Sequence, residues 1–202
     1  GATVRVADDG ELLTRSETVF AGYYKEPEAT ADVLDDDGWL RSGDVAEIDV
    51  DGFVTITDRK KDIIVTAGGK NVAPQNVENE LKASKYVSQV VAIGDRRPYL
   101  VALLTLDPAE VGTWAAAQGL QLSPADYPAS PDVRRLVQGL VADVNARRAS
   151  YEQIKRFVVL PRDFSQEEGE VTPTLKLRRR QIQEHFAPDI EALYAAPAPA
   201  AT

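Results

Sequence analysis

A charged segment at residues 58–62, Asp-Arg-Lys-Lys-Asp, separates two stretches of different sequence pattern. Before it, residues 1–58 contain short runs rich in Val, Ile and Phe, with turn signals such as Asp9-Gly10 between them. This pattern is typical of β-hairpins. After it, segments of strand length and helix length follow one another. We therefore expect an α+β chain, with a β-rich unit at residues 1–60 and an α+β domain at residues 61–194.

Hydrophobic spacing places the elements of the second unit. Strands are predicted at residues 63–65, 87–94, 99–106 and 157–160, and helices at residues 74–84, 108–118, 131–149 and 177–194. The second and third strands are mostly apolar, as in a buried hairpin. Pro188 is expected to kink or end the last helix. The Ala- and Pro-rich tail, residues 195–202, is expected to be disordered.

Composition excludes several functional classes. The formal net charge is −9 and the isoelectric point about 4.7, which argues against binding nucleic acid through its phosphates. Without cysteine and with one histidine, the chain cannot assemble a zinc site, and we expect no metal site. No apolar run approaches the roughly 20 residues of a membrane span, so we expect no transmembrane segment. The start at Gly1 lacks an initiator Met, which indicates a piece of a longer chain.

Lys176 is the only lysine in the run from Glu170 to Arg180, Glu-Val-Thr-Pro-Thr-Leu-Lys-Leu-Arg-Arg-Arg. On a Pro-bounded loop before a predicted helix, it could swing a positive charge over an anionic substrate. This run resembles the C-terminal lysine motif of adenylate-forming enzymes, most of all the long-chain fatty acyl-CoA ligases. The resemblance implies that Lys176 contacts the carboxylate and the α-phosphate during adenylation. The preceding residue is Leu175, where luciferases and peptide-synthetase domains usually carry glycine.

A second group of motifs surrounds the charged segment. Ser-Gly-Asp, ending at Asp44, is followed by Asp-Gly-Phe, ending at Phe53, and then by the charged segment. In this order they resemble the motifs around the interdomain joint of the same enzymes. The resemblance implies that Asp44 accepts hydrogen bonds from both ribose hydroxyls, that Arg59 binds the same nucleotide and that Lys61 is the hinge. A carboxylate with two acceptor oxygens and a planar guanidinium fork suit the two binding tasks.

Each of these residues also has a plain structural interpretation. Asp44 could cap a turn, and residues 59–61 could be a solvated charge run. The functional interpretation is favoured because the motifs occur together, in the family's order, with Lys176 near the end of the chain. Nearby, the run Arg178-Arg179-Arg180 could serve ion pairing or phosphate steering, but the polar face of the last helix is the favoured interpretation. His185 is expected to be a surface or packing residue.

A glycine turn, Gly68-Gly69-Lys70, resembles the hairpin tip that lines the pantetheine tunnel when these enzymes form the thioester. Glycine would let the backbone approach a thin ligand arm closely. The resemblance makes Gly68, Gly69 and Lys70 candidates for the CoA tunnel. A plain hairpin turn is the alternative interpretation of the same residues.

Most of a complete ligase is missing from this sequence. The Ser/Thr/Gly-rich loop that holds ATP phosphates and the segment that binds adenine and magnesium are not found, and the acyl tunnel belongs to the same missing part. The resemblance therefore implies a missing large N-terminal domain, of which residues 1–60 are the C-terminal remnant, while residues 61–194 form the mobile C-terminal lid. The whole enzyme would make acyl-CoA from fatty acid, ATP and CoA through an acyl-adenylate, with Mg²⁺ bound outside this chain. We expect the chain alone to be inactive. The expected location is the cytoplasm, with any peripheral membrane association left to the missing domain.

Two other interpretations are open at this point. The chain could be a stand-alone binding or regulatory module that docks on a separate adenylation domain, or one whose Lys176 is acylated. It could also be an unrelated α+β domain with an accidental charged linker. A fold without the β-rich first unit, or with Lys176 away from an exposed loop, would favour the unrelated domain.

Overall fold

The computed structural model describes residues 1–195, so that residues 196–202 of the predicted disordered tail lie outside the described part. Ala195, the first residue assigned to that tail, is the last residue of a helix. The chain divides into two compact units between Ile63 and Ile64. This division falls directly after the charged segment at residues 58–62. The boundaries proposed from the sequence, at residue 60 and residue 194, remain predictions.

The first unit is a four-stranded antiparallel meander in the order β1-β2-β3-β4. Its strands are β1 (Thr3–Val6), β2 (Glu11–Arg15), β3 (Leu40–Ile48) and β4 (Val54–Arg59). The unit also contains a seven-residue helix, α1 (Pro27–Val33), which begins at a proline. Proline suits this position because its fixed φ matches the helix and it has no amide hydrogen to leave unpaired.

The second unit contains a two-stranded hairpin and a three-stranded sheet. The hairpin pairs β5 (Ile64–Val65) with β6 (Asn71–Val72), and the sheet has the order β7 (Val87–Ile93), β8 (Leu100–Leu106), β9 (Ile154–Val159). The predicted buried hairpin is confirmed, because β7 and β8 are antiparallel neighbours. β9 runs parallel to β8, which the sequence pattern did not indicate.

Strand β8 divides the core of the second unit into two clusters. Leu100, Ala102 and Leu104 face one side and Val101 and Leu103 face the other, and all five are fully buried. The first cluster packs against the helices of the middle of the chain, and the second against its C-terminal segment. A strand covered on both faces reads as a continuous apolar run, which explains the sequence of β8.

The helices of the second unit are α2 (Pro74–Lys82), α3 (Pro108–Ala117), α4 (Pro131–Asn145), α5 (Arg179–His185) and α6 (Ala187–Ala195). The first three begin at a proline. The single helix expected at residues 177–194 is two short helices that are interrupted at Phe186, as the position of Pro188 predicted. It also starts later than expected, because Leu177 forms a β-bridge with Val171.

The two-sided burial of β8 predicts a large difference between two Leu→Ala substitutions. Leu103→Ala should lower the free energy of unfolding by about 2–5 kcal/mol, because it opens a cavity in a packed core. Leu175→Ala is the matched control, since Leu175 is 73% exposed. It should change stability by less than about 0.5 kcal/mol. Urea denaturation of both variants tests this, and equal losses would contradict the burial of β8.

Candidate functional site

Asp44 and Arg59 face each other across neighbouring strands of the first unit. They are register partners on β3 and β4, and the Arg59 Nε lies 2.9 Å from the Asp44 Oδ1. The Asp44 side chain is 26% exposed and the Arg59 side chain 52% exposed, so both can be reached from solvent. Within the described residues, the second carboxylate oxygen and the terminal guanidinium nitrogens form no further hydrogen bond, so a ligand could reach them. The structure therefore brings the two predicted nucleotide-binding residues together.

The irregular stretch of β3 before Asp44 is held by side chains of β2 and β3. The Asp44 amide donates to the Ser42 Oγ at 3.0 Å, and the Gly43 amide donates to the Glu11 Oε1 at 2.9 Å. Gly43 has a φ of +71°, a conformation that favours glycine. Ser42 and Gly43 line an open depression of about 440 Å³ in the first unit. The Asp44 carboxylate thus extends from a strand segment that is fixed by side-chain hydrogen bonds.

Lys60 links two carboxylates to the charged segment, a role that sequence reasoning missed. Its Nζ lies 2.7 Å from the Asp9 Oδ2 and 2.8 Å from the Glu11 Oε2. These hydrogen bonds raise the pKa of Lys60, and the bond from Lys60 lowers the pKa of Asp9. Glu11 is only 4% exposed and also accepts from Gly43. The signal in the sequence was that Glu11 directly precedes two leucines, Leu12 and Leu13, which are both buried in the structure.

Lys61, the predicted hinge, lies in a short 3-10 turn, Lys60–Asp62. Its side chain is exposed. The turn directly precedes the point at which the two compact units divide. The position therefore suits a hinge, and the hinge role itself remains a prediction.

The predicted glycine turn is the tip of the β5–β6 hairpin. The Thr66 amide donates to the Lys70 carbonyl at 3.0 Å, and the Gly69 amide donates to the Thr66 carbonyl at 2.8 Å. Gly69 has a φ of +71°, whereas Gly68 has an ordinary φ. Gly68, Gly69 and Lys70 are all exposed, and the Lys70 Nζ lies 5.8 Å from the centre of the Tyr151 ring. The tip thus presents bare backbone to solvent.

Lys176 lies on a hairpin, residues 170–179, which we call the lysine hairpin. The Thr172 amide donates to the Lys176 carbonyl at 2.9 Å, and the Lys176 amide donates to the Thr172 Oγ1 at 3.0 Å. Residues 173–176 are all exposed. Within residues 1–195 the Lys176 ammonium makes no ion pair or side-chain hydrogen bond. The side chain is therefore exposed, as expected for a loop lysine, and its contact with an anionic substrate remains a prediction.

Leu175 adopts an uncommon backbone conformation beside Lys176. Its φ is +59°, in the left-handed region, and its side chain is 73% exposed. A residue with a Cβ is disfavoured in this region, whereas glycine is not. The backbone at this position thus has the conformation that suits the glycine usually carried by luciferases and peptide-synthetase domains.

Two ion pairs with buried carboxylates lie at the ends of the lysine hairpin. Glu170 receives both Nη groups of Arg162, at 2.7 and 2.8 Å, and Glu78 receives both Nη groups of Arg179, at 2.6 Å each. The interpretation of residues 178–180 as a polar helix face was wrong for Arg179, because Glu78 draws its side chain inward to 17% exposure. Arg180 does lie on the surface, where it pairs with Glu184.

His185 lies beside the Glu170 carboxylate. Its Nδ1 is 3.1 Å from the Glu170 Oε1, and the Ser165 amide donates to the Glu170 Oε2 at 3.0 Å. Glu170 is completely buried, and the hydrogen bonds from Arg162 are the main reason that its pKa falls to about 2. His185 is thus a helix residue whose side chain is 31% exposed and has polar contacts to both Glu170 and Gln181.

Comparison with known proteins identifies the family. Residues 61–198, more than half of the chain, match the model of the AMP-binding enzyme C-terminal domain. The chain is 44% identical over 196 residues to the long-chain fatty acid–CoA ligase FadD15 of Mycobacterium tuberculosis. The match covers 96% of the chain and 32% of the relative. It is 35% identical to the human long-chain fatty acid–CoA ligase 6, with 92% and 27% covered. The chain therefore belongs to the AMP-binding, adenylate-forming enzyme family.

Solved structures agree with this assignment. The adenylation domain of a carboxylate reductase from Mycobacterium chelonae superimposes with a TM-score of 0.76 at 31% identity, over 96% of this chain and 31% of that domain. The corresponding domain from Segniliparus rugosus, in complex with AMP and a carboxylic acid, gives 0.77 at 25% identity, with 98% and 32% covered. These neighbours confirm the predicted α+β fold class. The unrelated-domain interpretation is thereby excluded.

The chain spans about a third of the length of the curated relatives that it matches. Within residues 1–195, no helix combines the length and the apolar character needed to cross a membrane. In the same part of the chain, no group of three or more His, Cys, Asp and Glu side chains is placed to hold a metal ion.

The low pKa of Glu170 predicts a specific loss of stability in acid. A carboxyl group whose pKa falls on folding stabilises the folded state above its unfolded pKa, near 4.5, and loses this effect as the pH falls toward 2. The effect amounts to about 3 kcal/mol. Urea denaturation between pH 7 and pH 2 should show the advantage of the natural chain over Glu170→Gln disappearing in this range. The exposed Glu167→Gln should show no such convergence, and a pH-independent difference for Glu170→Gln would contradict the ion pair.

Proposed function

We propose that the intact protein is an AMP-forming ligase that makes acyl-CoA from a fatty acid, ATP and CoA. The chain would supply the lid, the hinge and part of the nucleotide site. The observation that carries the proposal is Lys176, which is exposed at the tip of its hairpin and has no ion-pair partner among residues 1–195. The chain that carries it is 44% identical to a long-chain fatty acid–CoA ligase. Relatives from bacteria and human carry the same activity in their names, which supports the substrate class.

In the first half-reaction, a carboxylate oxygen of the fatty acid attacks the α-phosphate of ATP, and the bond to the departing pyrophosphate breaks. Asp44 would hold the ribose by accepting hydrogen bonds from its hydroxyls, and Arg59 would bind the same nucleotide. Lys176 would offset the negative charge that develops between the carboxylate and the α-phosphate. The free ammonium and the short, ordered turn around Thr172 support this role.

In the second half-reaction, the sulfur of CoA attacks the acyl carbonyl, and the bond to AMP breaks as the thioester forms. We propose that the C-terminal domain turns about Lys61 between the two steps, which withdraws Lys176 and presents the glycine turn. Gly68 and Gly69 would then line the passage for the pantetheine arm, with Lys70 near the CoA phosphates. Their exposure at a hairpin tip supports this, and one domain would serve both steps.

A large N-terminal domain would complete the enzyme. The first unit exposes several apolar side chains on and beside its β3–β4 hairpin: Ile48, Val50, Phe53, Val54 and Ile56. Apolar surface of this kind suits packing against a further domain. The Mg²⁺ site, the adenine contacts and the acyl tunnel would belong to that domain. Among the described residues, no group of three or more His, Cys, Asp and Glu side chains is placed to hold a metal ion. A cytoplasmic location, with membrane association through the same domain, is part of this proposal.

A stand-alone regulatory module is the less favoured alternative. Nearly the whole chain aligns with single-chain ligases, and the aligned part includes the β-rich first unit as well as the C-terminal domain. A separate module would need only the second of these.

The proposal predicts that Lys176→Ala in the full-length enzyme lowers the rate of adenylation by about 10²–10³, because a charge that stabilises the transition state is lost. ATP–pyrophosphate exchange measures this step. Thioester formation from supplied acyl-adenylate should be retained. The exposed lysine control, Lys82→Ala, should change neither step. An unimpaired Lys176→Ala enzyme, or acyl-CoA formation by the 202-residue chain alone, would overturn the proposal.

For the glycine turn, we expect a substitution to impair thioester formation and to leave adenylation unchanged. A methyl group at Gly68 would meet only the Thr66 Oγ1, at 3.9 Å, so Gly68→Ala should fold normally. The added methyl should hinder the pantetheine arm and slow thioester formation from acyl-adenylate at least about tenfold, since misplacement of about 1 Å is costly. Pyrophosphate exchange should be unchanged. Gly139→Ala, an exposed position in α4, is the control. Normal thioester formation by Gly68→Ala would place the CoA arm elsewhere.

A further inference from the structure

The lysine hairpin has an unusual distribution of contacts. Its tip, residues 173–176, is exposed and contributes nothing to either core cluster. Its two strands are joined by few bonds, one of which runs from the Arg178 amide to the Glu170 carbonyl at 2.8 Å. The orientation of the tip therefore depends on how the ends of the hairpin are attached to the domain.

At its first end, Glu170 is fully buried, and its carboxylate is held from three sides. Arg162 donates through both Nη groups, the Ser165 amide donates at 3.0 Å and the His185 Nδ1 lies 3.1 Å away. These contacts together fix the position of the Glu170 carboxylate. Because Val171 bridges to Leu177 directly after it, the path of the first strand follows from that position.

At its second end, Arg179 donates to Glu78 on α2 through both Nη groups. Glu78 is 4% exposed, and its Oε1 also accepts from the Ala92 amide of β7 at 2.7 Å. Arg179 follows Lys176 by only three residues. The second strand of the hairpin is thus connected, through one carboxylate, to both a helix and the central sheet.

We propose that Glu78 and Glu170 are positioning residues for Lys176, which set the direction of the lysine hairpin without touching a substrate. This inference rests on the proposed role of Lys176. A bidentate Arg–carboxylate pair fixes a direction as well as a distance, which a single hydrogen bond does not. Replacing both partners of a buried ion pair by apolar side chains is often neutral for stability. The direction that each pair fixes is therefore the property that stability alone does not explain.

The expected effect is confined to adenylation. The Lys176 ammonium must lie within hydrogen-bond distance of the reacting groups, and displacements near 1 Å can lower a rate about 10²-fold. The thioester step, in the proposed mechanism, takes place with Lys176 withdrawn. A change in the direction of the hairpin should therefore slow the first half-reaction and leave the second nearly unchanged.

The test compares Glu78→Gln and Glu170→Gln in the full-length enzyme with Glu80→Gln as the matched control. Glu80 lies on the same helix as Glu78 and also pairs with arginines, Arg147 and Arg148, but these have no link to the lysine hairpin. Pyrophosphate exchange and thioester formation from acyl-adenylate are each measured per folded molecule. We expect exchange to fall about 10- to 100-fold in the two test variants, with thioester formation within about twofold. Glu80→Gln should change neither.

If the glutamine variants do not fold, Arg162→Lys gives the same test. It keeps the charge, removes the fork and affects a side chain that is 43% exposed. Equal losses in both half-reactions, or no selective loss of exchange, would overturn the inference. Lys176→Ala, assayed in parallel, separates the two proposals. If it leaves exchange intact, the proposed function fails; if it abolishes exchange while the test variants remain normal, only the positioning role fails.

Discussion

The burial of β8 on both faces is the constraint on which the second unit depends. Every one of its residues, from Leu100 to Leu106, is at most 8% exposed. A strand with two covered faces needs partners on both edges and a layer on each side. β7 and β9 supply the edges, α2 and α4 cover one face, and the segment with the lysine hairpin covers the other. The segment that carries Lys176 is thus part of the core's second layer.

Much of this arrangement could be predicted from local sequence signals. The apolar runs of β7 and β8, the prolines that begin three helices and the glycine turn each act over a few residues, where the pattern determines the geometry. The same holds for the exposure of Lys176 and for the β3–β4 hairpin that brings Asp44 to Arg59. In each case the residues concerned are close in sequence or joined by one tight turn.

The parts that could not be predicted depend on distant contacts. Glu78 and Arg179 are 101 residues apart, and neither shows its partner in its own neighbourhood. An arginine run looks like a solvated helix face until a buried carboxylate is known to lie opposite one of its members. Lys60 and Glu11 are 49 residues apart and present the same difficulty. The parallel pairing of β9 with β8 depends on how the long segment between them, which contains α3 and α4, folds.

The pairing of Asp44 with Arg59 bears on how a nucleotide would enter and leave. Because the Arg59 Nε lies 2.9 Å from the Asp44 Oδ1, each charge is compensated by the other when no ligand is bound. If the proposed nucleotide role holds, a ribose that engages both carboxylate oxygens would compete with the guanidinium for Oδ1. Part of the binding free energy would then be used to separate the pair, which would weaken the hold on the nucleotide. On departure of the nucleotide the two side chains would close on each other again, so its exit would be accompanied by the return of a favourable contact.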